Sequence, residues 1–97
     1  MLEAVKTSLR VNGTDLNDEI QGLIEAAESD LILSGVIKEK IVETDPLIKR
    51  AVIIYCKAHF GYEDVKMSER FEQAYINLKQ HLTLSQEYLV GDDDEGL

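Results

Sequence analysis

The chain has 97 residues, 44% of them hydrophobic and 30% charged, with one proline and six glycines; this describes one small globular domain able to bury a single core, not a disordered segment. Its formal net charge of −9 argues against direct, tight nucleic-acid binding, because non-specific affinity for phosphates comes from Lys and Arg displacing counterions. A single cysteine excludes an internal disulfide, and no apolar run approaches the roughly 20 residues of a membrane span.

The opening MLEAVKTSLRV carries no basic region followed by an apolar one, so no secretion signal is expected and a soluble, cytoplasmic protein is. Leu2, Val5 and Leu9 share one helix face at i, i+3, i+7. The turn Asn12-Gly13-Thr14 breaks that helix, and Thr14 or Asp15 is placed to cap the next, whose first turn holds Asp18 and Glu19. Leu16, Ile20, Leu23, Ile24, Ala27 and Leu31 then follow a helical period, with Asp18, Gln21, Glu25 and Glu28 on other faces. Ser34-Gly35 is a glycine stop. Residues 36–44, VIKEKIVET, alternate poorly and have no evident partner strand, so a connecting loop is expected.

Asp45-Pro46 is a helix start, an Asp cap with Pro at the first helical position. The helix it opens, 46–60, contains the one stretch with the residues of chemistry, AVIIYCKAHFGYED, in which Cys56 and His59 stand at i, i+3. Three readings compete there: a nucleophile and its base, part of a metal site, or core. At about 100° per residue, Leu47, Ala51, Ile54, Tyr55 and Ala58 form one apolar arc, extended by Ile48, Val52 and His59. Ile53 and Phe60 add apolar surface opposite, leaving Lys49, Arg50 and Lys57 as a narrow polar stripe. A helix apolar over most of its circumference is the buried centre of a bundle, where Cys56 is a small hydrophobe. A reactive thiolate needs an exposed, electropositive setting, and a metal site needs about four ligands. One Cys and two His without CxxC or HExxH spacing do not supply them. No catalytic residue, cofactor or metal is therefore expected.

Gly61 ends the central helix, and a last one from about Ser68 places Phe71, Ala74, Tyr75, Leu78 and Leu82 on one face. After Leu84 the pattern stops. The expected fold is all-α: a small bundle of about four helices over residues 1–84 around the central helix, with a flexible acidic tail over 85–97. Five acidic residues, Glu87, Asp92, Asp93, Asp94 and Glu95, fall in the last eleven positions, so residues 1–86 carry a net −4. The tail is either a frayed terminus or a segment that orders only against a partner. Tyr88, Leu89 and Val90, followed by Asp92, Asp93 and Asp94, are the candidate partner-binding residues, since adjacent large apolar groups cost solubility when exposed. Because this tail lies outside the expected core, removing 86–97 is expected to leave the thermal midpoint almost unchanged.

In their order, VKTSLRV, LNDEIQGLIEAA, LSG, DPLIKRAVIIYCKAHFGY and RFEQAYINLKQHL resemble the head–tail connector proteins of long-tailed phages and prophages, also known as DNA-packaging or head-completion proteins. The resemblance covers residues 2 to about 84 and leaves out 36–44 and the acidic tail. It implies a non-enzymatic subunit of the virion neck, made in the host cytoplasm, that forms a homo-oligomeric ring under the portal protein. The ring would extend the DNA channel, let DNA pass without specific binding, and dock a neck or tail-completion protein; the isolated chain would be mainly monomeric. The alternative is a small acidic regulator or helix-turn-helix-like binder. Against it, the outward cations are few (Lys49, Arg50 and Lys57, or Arg70 and Lys79), and about nine residues precede Pro46 where such a turn has three or four.

Overall fold

The structure, a computed structural model, describes residues 1–61, 64–85 and 88. Among the described residues four α-helices make up the fold, α1 (Leu2–Leu9), α2 (Asn17–Leu33), α3 (Pro46–His59) and α4 (Val65–Leu84), with a 3₁₀ turn at Lys38–Lys40 between α2 and α3. The all-α bundle expected from the apolar periodicities is what forms, and α3 is its centre, packed on by α1, α2 and α4.

Local chemistry sets the helix ends. Asp45 caps α3 by accepting from the N–H groups of Leu47 and Ile48 at 2.9 and 3.3 Å, with Pro46 at the first position, where its missing N–H costs nothing. Asp64 does the same for α4, accepting from Lys66 and Met67 at 3.0 and 3.3 Å. The last helix thus begins at Val65, a turn before the expected Ser68. Val65 and Met67 are exposed, so the apolar stripe that marks the core face starts only at Phe71. At α2 the expected side-chain cap is absent: Leu16 occupies the cap position and no side chain bonds the first turn.

Two helices end in the same hydrogen-bonded motif. After α2, the N–H of Val36 reaches the carbonyl of Leu31 and that of Gly35 the carbonyl of Ile32, both at 3.0 Å, with Gly35 at φ 113°. Leu31 and Val36 are both fully buried, so the turn is locked by an apolar contact as well. After α1, Val11 bonds back to Lys6 and Arg10 to Thr7, at 2.9 and 3.1 Å, and here Arg10 takes the left-handed position at φ 61°. The ammonium of Lys6, itself buried, folds onto the carbonyl of Gly13 and ties α1 to the turn that follows.

Antiparallel α3 and α4 form the main hairpin. Ser68 Oγ donates to the Ala58 carbonyl at 2.7 Å, satisfying one of the orphan acceptors at the end of α3. Further along, the rings of Tyr55 and Tyr75 meet edge to face, 5.1 Å between centroids. The core draws Val5 from α1, Ile20, Ile24, Ala27 and Leu31 from α2, Ile48, Ala51, Val52, Ile54 and Cys56 from α3, and Tyr75 and Leu82 from α4.

The segment 36–44 contributes Val36, fully buried, and Ile41, packed against the core. It is a connection, as expected, and one held to the core at Val36 and Ile41.

Candidate functional site

Cys56 is fully buried, and burial pushes its thiol up to about 12. At neutral pH it is a thiol inside the core, not a nucleophile. His59, placed in the apolar arc by its spacing, instead stands exposed at the helix end, stacked on Tyr55 at 4.4 Å and 3.3 Å from Glu72 of α4. The i, i+3 pair thus diverges into two environments. In the native protein Cys56 is expected to resist thiol reagents until the chain unfolds, and rapid stoichiometric labelling under native conditions would contradict its burial.

Asp30 of α2 holds α4 by its side chain. One carboxylate oxygen accepts from the Tyr75 hydroxyl at 2.5 Å and from Lys79 Nζ at 3.0 Å. Burial pushes the Asp30 carboxyl up, but the bonds from Tyr75 and Lys79 and the Lys79 charge outweigh it and hold it below its ordinary value. The Tyr75 hydroxyl is pushed up, first by its burial and then by its bond to Asp30. A depressed carboxylate stabilises the fold above its unfolded pKa, and that contribution is lost as pH falls through its folded pKa. The stability of the protein is therefore expected to fall with acidification below about pH 4, and the double variant Tyr75→Phe/Lys79→Met is expected to show a flatter acid limb in pH-dependent denaturant unfolding. An unchanged limb would remove Asp30 from the account.

Of the candidate partner-binding residues, Tyr88 is described and the others are not. Tyr88 is 5% exposed and belongs to the core. Its N–H donates to the Ser85 carbonyl at 3.1 Å, and its carbonyl accepts from the Ile37 N–H at 2.8 Å. It is therefore not part of an exposed patch, and the packed domain runs past residue 84 to include it. Sequence pattern missed it because a single aromatic after the helix has no period. Leu89, Val90, Asp92, Asp93 and Asp94 lie outside the described residues.

The surface offers one feature of a different kind. A groove of about 440 Å³ runs between α1, α3 and α4, lined by Ser8, Pro46, Ile53, Ile54, Phe71 and Ala74, with Lys49, Arg50 and Lys57 beside them. Apolar side chains and three cations line it together. Lys57 Nζ sits 5.3 Å from the centre of the Phe71 ring, a cation–π distance. Among the described residues, none of the three cations is in an ion pair. In a chain of net charge −9 this is a local reversal of sign. It is the narrow polar stripe of α3 seen in the periodicity; that α4 lays Phe71 and Ala74 alongside it is a fact of packing.

Elsewhere, Leu33 and Leu84, at the C-terminal ends of α2 and α4, are 87% and 83% exposed. Among the described residues no cluster of three or more His, Cys, Asp or Glu is placed to hold a metal, and no helix is long and apolar enough to cross a membrane.

The described surface thus offers a groove and exposed apolar side chains at two helix ends. Residues 1–89, a span that takes in all four helices and Tyr88, match the family model described as phage connector protein. The chain belongs to the phage connector protein family. No curated protein and no solved structure matches it significantly. The family places the connector at the head–tail junction, in the neck of the virion, in association with portal and neck proteins. The match agrees with the resemblance carried by the ordered helix motifs, and it includes residues 36–44, which that resemblance left out.

Proposed function

We propose that the connector assembles as a homo-oligomeric ring beneath the portal, extends the DNA channel, and offers a docking surface for a tail-completion protein. The observation that carries this reading is the family match over residues 1–89. Its work is surface complementarity, without bond chemistry. The net charge of −9 suits a conduit, since phosphates passing an acidic wall find few cations to hold them. Large side chains left in water, Leu33 and Leu84 above all, are surface that assembly would cover. The helical domain continues into an acidic tail from Leu89 on, and Leu89, Val90, Asp92, Asp93 and Asp94 make its partner contacts. The isolated connector is mainly monomer, and its exposed apolar side chains are covered only on assembly.

The test is to mix the connector with the portal and tail-completion proteins encoded beside it and image the product by electron microscopy. Rings seated on the portal are the expected result. Failure to join the portal, or a tight dimer at nanomolar concentration by light scattering, would overturn it.

A further inference from the structure

We infer that the groove between α1, α3 and α4 receives the acidic C-terminal segment, residues 89–97, of a second copy of the chain. The inference rests on the ring reading above and names the contact that would join neighbouring subunits.

The two surfaces are complementary in composition and sign. The segment reads Leu89-Val90, then Gly91, then the four acids Asp92 to Glu95. The groove is lined by apolar Ile53, Ile54 and Phe71 together with the cations Lys49, Arg50 and Lys57. Three of the ten basic residues of the chain converge there. An apolar anchor with charge pairs at its edge is the usual economy of a specific protein contact.

Position favours a neighbour's segment over the chain's own. Tyr88, from which the segment continues, is bonded through its carbonyl to Ile37, just past α2. Tyr75 bonds Asp30 of α2 and packs on Tyr55, so the Tyr55 side of α3 is the side toward α2. Ile53, which lines the groove, is two residues from Tyr55 and therefore roughly 200° away around the helix. The groove lies on the side of α3 turned away from Tyr55, whereas the segment leaves from beside Ile37, just past α2. A segment leaving one side and a receptor on another make a heterologous contact, the kind that closes a ring. Nine residues span at most about 30 Å, enough to cross to an adjacent subunit.

The experiment mixes ¹⁵N-labelled wild-type chain with unlabelled chain carrying a nitroxide at Gly96→Cys; buried Cys56 is left in place. At high micromolar concentration the amides of Lys49, Ile53, Lys57 and Ala74 are expected to broaden. The broadening is expected to weaken with added salt, which screens the charge pairs. It is expected to be lost in the Lys49→Glu/Arg50→Glu variant and restored when that variant is mixed with nitroxide chain in which Asp92, Asp93 and Asp94 are lysine. Broadening seen only when nitroxide and ¹⁵N share a chain would assign the groove to the chain's own segment and overturn the inference. So would the absence of broadening, or broadening indifferent to charge reversal. Portal rings formed by wild-type connector without groove broadening would overturn the inference and leave the ring reading standing. Groove broadening between chains that never form rings on the portal would support the contact and overturn the ring.

Discussion

Replacing Tyr88 with alanine is expected to destabilise the protein by about 3 kcal/mol, the range found when a buried aromatic is truncated in a core. For a domain of this size that is a fall of roughly 15 °C in the thermal midpoint. The reason is its burial among core residues, at 5% exposure. Tyr88→Phe keeps the ring and is expected to lose much less. A chain ending at Ser85 is expected to lose at least as much as Tyr88→Ala, because the Ile37 N–H also loses its acceptor. That result contrasts with the almost unchanged midpoint expected if everything after Leu84 were a free tail. Denaturant unfolding of the two variants and the truncated chain decides it. A truncated chain as stable as the full one would mean that Tyr88 contributes nothing to the fold.

Ile48→Ala is expected to cost about 3 kcal/mol, whereas the neighbouring Leu47→Ala is expected to cost less than about 1 kcal/mol. Both residues fall on the apolar side of α3 when its sequence is wound on a helix. In the structure Ile48 is fully buried and Leu47 is 38% exposed. Ile48 packs into the cluster shared by all four helices, and its removal leaves a cavity that the surrounding helices cannot close. Leu47 keeps much of its water contact, so little transfer free energy is at stake. The contrast is read from the unfolding midpoints of the two variants at constant slope. Equal losses would show that the periodicity, not the packing, had placed the core.

The sequence by itself determined the helices and their approximate ends. Stripes such as Ile20, Ile24, Ala27 and Leu31 have one good solution, a helix with that face buried. Asp45-Pro46 and Gly35 act through their own backbone and the next few residues. The near-complete apolar circumference of α3 also sufficed to place it at the centre and to remove Cys56 from any chemistry. These signals are local, so they survive without knowledge of neighbours.

What only the tertiary structure decided is which neighbours the helices meet. Asp30, Tyr75 and Lys79 come from helices about 45 residues apart, and nothing in their spacing foretells one carboxylate serving two donors. Tyr88 is core because the segment after α2 presents the Ile37 N–H and the bundle leaves room for a ring. His59, on the apolar arc by spacing, ends up exposed beside Glu72 of α4. The basic stripe of α3 became a groove only when Phe71 and Ala74 were laid beside it. Periodicity assigns a residue to a face; burial and charge environment depend on what that face is packed against, a property of pairs of elements distant in the chain.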